Sequence, residues 1–199
     1  MEKEITKNRQ ATEMTLITAV NDIIEESGFE GLGINAVAAK AKVSKMLIYR
    51  YFNSLDGLIA AYIQQNDYWI NFDEELPDQA HLATFIKQIF KRQIMRLREN
   101  YTLKRLYRWE LTTDNKFVKE LRNKREEKGI WLVEAVSKLS KHPKKEIAAM
   151  ASIITAAISY LALLDCPVYN GLKIQQESGW EELEEGINLL VDLWLQKQL

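Results

Sequence analysis

The chain has 199 residues, 47% of them hydrophobic and 28% charged, with a formal net charge of −1. That length holds one large domain, or a small module joined to a larger one, and buries a core without disulfide or metal staples. The hydrophobic content excludes disorder as the dominant state, and eight glycines with three prolines argue against a turn-rich sandwich or barrel.

Cys166 is the only cysteine. No intrachain disulfide is possible, a reducing, cytoplasmic compartment fits, and a small buried hydrophobe is its expected role. The near-neutral charge speaks against a nonspecific nucleic-acid coat but is compatible with a local basic patch. Residues 1–10 are charged and lack the apolar stretch of a signal peptide.

The apolar pattern is helical throughout, with no strand period of useful length and no internal repeat. Leu16, Ile17, Val20, Ile23 and Ile24 share one face of a first helix. Ser27-Gly28 stops it, because glycine takes the left-handed conformation at a helix end. Two short helices follow, Ile34 to Lys40 and Ser44 to Phe52, each too short to stand alone. After a cap at Asn53-Ser54, a helix carries Leu58, Ile59, Tyr62 and Ile63 and is expected to run through Trp69 towards Phe72. Pro77-Asp78 breaks the chain. Further helices are expected over about 80–99, around Leu103 to Leu111, and over 117–139, where Gly129 is a weak point.

His142-Pro143 is the next breaker. The helix after it contains the uncharged run Ile147 to Leu164. It barely reaches the length of a membrane span. Its alanines, with Ser152, Thr155, Ser159 and Tyr160, suit protein packing on several sides better than lipid, so no membrane association is expected. Residues 166–179 read as a loop. The last helix presents Trp180, Leu183, Ile187, Leu190, Val191 and Trp194.

The most informative stretch is Ile34 to Phe52. It holds Lys40, Lys42, Lys45 and Arg50 and no acidic residue. Val37, Ala38 and Ala41 allow two helices to cross closely, and Ser44 can cap the second. The N-terminus of that helix offers free N–H groups and a partial positive charge, both suited to phosphate. Two short helices crossing through a tight turn form a helix-turn-helix, whose second helix enters the major groove.

Here the sequence resembles the TetR family of transcriptional regulators. The likeness rests on Gly28-Phe29, Val37-Ala38 with Ala41, Val43-Ser44, and Tyr49-Arg50-Tyr51-Phe52 followed by Asp56 and Leu58. It covers about a quarter of the chain. The resemblance implies an all-α fold: an N-terminal three-helix helix-turn-helix DNA-binding domain, taken as 1–54, and a C-terminal helical ligand-binding and dimerisation domain, taken as 55–199. It also implies a homodimer on a palindromic operator of double-stranded DNA, and a repressor released by a small-molecule effector.

Three positions depart from the family pattern. The turn glycine is Lys42, whose left-handed conformation costs on the order of 1 kcal/mol. The Thr or Ser that begins the first short helix is Gly33, which has no capping side chain. The lysine after the Tyr-Phe motif is Leu55. Lys3, Lys7 and Arg9 of the N-terminal tail could compensate for that lost phosphate anchor. These departures also give weight to a rival reading: a helical ligand-binding or adaptor protein with weakened DNA contacts.

By position in the resemblance, Lys45, Met46 and Leu47 face bases. Lys45 can reach guanine O6/N7 or phosphate, while Met46 and Leu47 can make only apolar contacts such as with a thymine methyl. Tyr49 and Tyr51 would direct hydroxyls to phosphates. Asn35, Ser44 and Arg50 complete the candidate DNA-contacting set, and Ile48 and Phe52 are expected in the core.

Two opposed charge runs lie farther on. Residues 87–108 carry Lys87, Lys91, Arg92, Arg96, Arg98, Lys104, Arg105 and Arg108 against Glu99 alone. Residues 176–192 carry Glu177, Glu181, Glu182, Glu184, Glu185 and Asp192 with no base. Mutual attraction, an anionic ligand, an added nucleic-acid surface and two solvated faces are all compatible with this pattern.

The helices at about 144–164 and 180–197 are the dimer candidates, through close-packing alanines and a Trp180–Trp194 stripe that would join a four-helix bundle; a purely internal core is the alternative. An effector cavity could draw on Trp69, Phe72, Tyr107, Trp109, Trp131 and Tyr160, with Glu110 or Asp165 as polar anchor, though core packing also explains each. No cofactor is expected. His81 and His142 stand apart without metal-ligand spacing, and no nucleophile or phosphate-loop motif appears, so an enzyme is not expected.

Overall fold

The structure, a computed structural model, describes Glu2–Gln196, apart from the side chains of residues 2–7 and 29. Lys3 and Lys7 therefore lie outside the described side chains. The described residues form nine α-helices and no strand: α1 Glu2–Ser27, α2 Ile34–Lys40, α3 Lys45–Phe52, α4 Leu55–Asn66, α5 Leu82–Glu99, α6 Tyr101–Thr112, α7 Lys116–Ser140, α8 Lys144–Leu164 and α9 Glu177–Gln196.

The helices group into two compact units, residues 1–71 with 105–123, and residues 72–104 with 124–199. α4 thus packs with α1–α3, together with parts of α6 and α7. A division by role at 54/55 is a separate matter from this division by packing.

In the first unit, Leu16, Val20 and Ile24 of α1 meet Val37, Ile48, Leu58 and Ile63 in one buried cluster, closed by Leu106 and Leu121. Gly28 ends α1 at φ +77, where a Cβ would strike the Arg105 guanidinium; Arg105 in turn pairs with Glu30 at 3.2 Å. Gly57 is needed for another reason. A Cβ there would lie 2.0 Å from the Phe52 carbonyl oxygen and 3.0 Å from the Phe117 ring. The start of α7 is tied to α4 by Asn115, whose amide donates to Asp56 at 2.9 Å while its oxygen accepts from the Phe117 and Val118 amides.

α4 ends at Asn66 rather than continuing towards Phe72. Asp67 is extended, at φ −75 and ψ 124. Its carboxylate accepts from the Ile70 amide at 2.9 Å and from the Tyr107 hydroxyl at 2.5 Å. These two bonds favour a turn over another helical residue.

In the second unit, α5 packs against both α8 and α9. The opposed charge runs meet there. Lys87 pairs with Asp192 at 2.6 Å, Lys91 with Glu184 at 2.9 Å, and Arg98 with Glu177 at 2.5 Å. Arg98 also lies over the Trp180 ring, 5.4 Å from its centroid. Attraction within one chain therefore accounts for much of the pattern.

The Arg98 hydrogen bond holds the Glu177 carboxyl below its ordinary value of 4.5. A carboxylate whose pKa is depressed by folding stabilises the fold above its unfolded pKa and loses that contribution as pH falls through the folded value. The melting-temperature advantage of the native chain over Arg98→Gln should therefore be full above about pH 4.5 and narrow below it, to what the contact of Arg98 with the Trp180 ring contributes. A scan of melting temperature against pH checks this.

Two expectations change in this unit. α8 was expected to be buried on several sides, yet only 28% of its most apolar window is buried. Ile147, Ile154, Ile158 and Leu161 face inward, whereas Ile153 is 69% exposed and Tyr160 and Leu164 are also exposed. The helix has length and hydropathy enough to cross a membrane, but a helix packed within a protein has the same length and hydropathy.

In α9, Trp180, Ile187 and Val191 are buried inside the unit and half-buried Trp194 stacks on His142 at 4.6 Å. Leu190, expected beside them, is 52% exposed with Leu189 and Leu193. The helix is apolar on two sides, so its tryptophan stripe serves the internal core. Cys166 is free and half-buried rather than buried.

Candidate nucleic-acid interface

The site is built on the crossing of α2 and α3. Val37, Ala38 and Ala41 are buried, and Ile48 is 0% exposed beneath the second helix. The turn between them closes by backbone bonds from Ala41 to Val37 (2.9 Å), Lys42 to Ala39 (3.1 Å) and Val43 to Ala38 (3.0 Å). This geometry needs a left-handed residue, and Lys42 supplies it at φ 54. Gly33 begins α2 with no side-chain cap. Ser44 caps α3, its hydroxyl accepting from the Met46 amide at 3.3 Å. Asn53, left-handed at φ 65, ends α3.

This frame fixes which side chains face outward. With Ile48 pinned to the core, Lys45, Met46 and Tyr49 are exposed, Met46 at 65%. Asn35, Ser44 and Arg50 are exposed as well. Leu47, Tyr51 and Phe52 are half-buried and pack on the core, as does Leu55 at the start of α4.

The cations differ in their availability. Lys40 is held by Glu26 at 2.5 Å, and that hydrogen bond raises its pKa above the ordinary lysine value. Arg9 pairs with Glu13 at 2.7 Å and covers the Tyr51 ring at 5.3 Å. Lys42, Lys45 and Arg50 make no ion pair among the described residues. The exposed face of α3 thus combines an uncommitted lysine and arginine with a phenol, on a helix whose free N–H groups add positive potential.

One buried contact near this site escaped sequence reasoning. Tyr62 of α4 donates to Asn21 of α1 at 2.6 Å. Burial, with Glu25 nearby, pushes the Tyr62 hydroxyl up to about 12. The bond fixes α4, and through it the end of α3, against α1. The tyrosine looked only apolar in sequence because its partner is 41 positions away.

The seven residues considered for an effector cavity are divided between the two units. Trp69, Tyr107, Trp109 and Glu110 belong to the first unit, and Phe72, Trp131 and Tyr160 to the second. Tyr107 is bonded to Asp67, and buried Glu110 lies 3.6 Å from Arg122. Trp69 stacks edge-on with Tyr68 at 5.2 Å. Trp109 packs on the first unit's core. Phe72 and exposed Trp131 meet at 6.4 Å, and exposed Tyr160 meets Tyr169 at 5.9 Å.

The second unit does contain an open groove of about 780 Å³, between α5, the end of α8, the loop after it and the start of α9. Of the residues considered for an effector cavity, it is lined by Asp165 and by none of the seven. The available signal was the matched spacing of Lys91 and Arg98 in α5 with Glu177, Glu181 and Glu184 in α9.

Residues 16–62 match the sequence model of the bacterial regulatory proteins of the tetR family. No curated protein shows significant similarity to the chain. Among solved structures, a Clostridium perfringens protein described as a fatty acid metabolism regulator superposes with a TM-score of 0.59 at 20% identity, over 89% of this chain and 96% of that one. HlyIIR, described as a hemolysin II transcriptional regulator, superposes with a TM-score of 0.51 at 17% identity, over 96% of this chain and 99% of that one. At these identities the likeness establishes the fold.

Proposed function

We propose, for a chain whose N-terminal residues form a TetR-family DNA-binding domain, that it is a homodimeric, cytoplasmic repressor that binds a palindromic operator and releases it when a small-molecule effector binds. The observation that carries the reading is the arrangement on α3. Ile48 is buried and Ser44 caps the helix, while Lys45, Met46, Tyr49 and Arg50 stand exposed beside Lys42, which makes no ion pair among the described residues. That is the geometry needed to set a helix N-terminus into a major groove.

A dimer is supported by the exposed apolar faces of α8 and α9, around Ile153, Tyr160, Leu189 and Leu193. Exposed apolar residues at helical spacing on α8 and on α9 are what a second copy would cover in a four-helix bundle. The effector would act by shifting the population between dimers whose recognition helices fit two successive major grooves and dimers in which they do not.

The uncapped Gly33 and the packed Leu55 support a second reading, an adaptor with weakened DNA contacts. The two diverge on substitution. In the regulator, Lys45→Ala should weaken operator binding by about 1–3 kcal/mol and relax base preference, and Tyr49→Phe should weaken all sequences alike through a lost phosphate contact. Both side chains are exposed, so the melting temperature should stay unchanged. Anisotropy titrations with matched melts check this. Intact binding in both variants would mean that α3 is not the reading helix.

A further inference from the structure

Five cations lie among residues 8–66: Arg9, Lys40, Lys42, Lys45 and Arg50. Two are committed within the fold, Arg9 to Glu13 and Lys40 to Glu26. Lys45 and Arg50 belong to α3 itself. The helix ends nearest α3 in the chain offer no cation to a phosphate backbone. Gly33 has no side chain at the start of α2, and the first turn of α4 holds packed Leu55 and acidic Asp56. That leaves Lys42, in the turn that leads into α3.

Nothing in the fold asks for a lysine there. The turn closes through the main-chain amides of Ala41, Lys42 and Val43, which residues other than proline supply equally. Its left-handed backbone, at φ 54, suits glycine and penalises a lysine. The Lys42 side chain is exposed and makes no hydrogen bond or ion pair among the described residues. The strained residue therefore returns nothing to the folded chain. It stands three residues before Lys45, so its Cα lies within about 11 Å of the start of α3.

We propose that Lys42 is a positioning residue for DNA: its ammonium pairs with a backbone phosphate at the edge of the groove that α3 enters, and sets the register of the helix without reading a base. The proposal rests on the regulator reading of α3. It gives the left-handed strain a function, since a charge is kept where glycine would fold better.

The test measures anisotropy of the full chain on a mixed-sequence duplex, where phosphate contacts dominate affinity, over about 50–300 mM sodium chloride. No operator is needed. For each Lys42 in contact, Lys42→Gln should flatten the dependence of log K on log salt by about 0.9 and weaken binding about eightfold at about 0.1 M salt. Lys42→Arg keeps the charge and should keep the slope. Lys42→Gly should lose the same slope as Lys42→Gln while melting no lower than the native chain, because glycine relieves the backbone. A loss without destabilisation is a loss of contact, not of folding. Lys141→Gln is the control. It removes the same charge from another exposed, left-handed position (φ 64), in the second unit, and should leave the slope unchanged. A native slope in both Lys42→Gln and Lys42→Gly, a slope lost in Lys42→Arg, or an equal loss in Lys141→Gln would each overturn the proposal. Any of these, with native binding intact, leaves the regulator reading standing. A native chain that binds no DNA even at low salt would overturn both.

Discussion

Replacing Ile153 and Leu193 with aspartate should yield a folded monomer that no longer holds a two-site operator. In the single chain both side chains are more than half exposed, at 69% and 57%. A carboxylate at either position stays in water when the chain is alone, so folding should be little affected. In a dimer closed by α8 and α9 the same groups would be buried without partners. An uncompensated buried charge costs about 3–5 kcal/mol, and each substitution occurs twice across a two-fold axis. Dimer affinity should fall by at least about a hundredfold. Light scattering at a concentration where the native chain is dimeric reads the outcome, with helicity by circular dichroism as control. An unchanged dimer would place the interface on another surface.

Gly57→Ala should be the most damaging single methyl in the first unit. The new Cβ would sit 2.0 Å from the Phe52 carbonyl oxygen and 3.0 Å from the Phe117 ring. Backbone cannot swing aside as a flexible side chain can, so the junction of α3 and α4 must open. Overpacking of this kind costs about 3 kcal/mol, or roughly 6–12 °C of melting temperature for a chain of this size. The displaced element is α3, so DNA binding should weaken as well. Gly129→Ala in α7 is the matched control. Nothing lies within 4 Å of the added Cβ there, and the helix should gain up to about 1 kcal/mol from the better helix former. Opposite signs at two helical glycines would show that local clearance, rather than helix propensity, decides. A neutral Gly57→Ala would contradict the described packing of α4.

The helix-turn-helix was legible because everything that makes it is local. Val37, Ala38, Ala41 and Ile48 repeat at helical spacing, Ser44 caps its own helix, and Lys42 occupies a turn position whose conformation the flanking helices demand. The end of α4 was not legible. Ile70 and Phe72 continue the apolar spacing, and one of the two bonds that turn the chain at Asp67 comes from Tyr107, 40 positions away. α9 misled because it is apolar on two sides. Spacing alone could not say that Trp180 and Val191 face inward while Leu190 and Leu193 face out. The aromatic residues grouped as a cavity divide between the two units, a division set by packing over long sequence distances. On α3 the local pattern placed Lys45, Met46 and Tyr49 on the exposed side but could not show that Leu47 and Tyr51 pack partly on the core.

The most direct test is fluorescence anisotropy of the purified protein on duplexes from the DNA flanking its own gene, at two salt concentrations, with scrambled duplexes of the same composition. A sequence-specific regulator should bind one fragment, containing an inverted repeat, at least about a thousandfold more tightly than its scrambled counterpart. That affinity should fall steeply with salt as phosphate contacts release counterions. Equal, weak binding to native and scrambled duplexes, followed by no enriched sequence in an unbiased selection, would contradict the account and favour the adaptor reading.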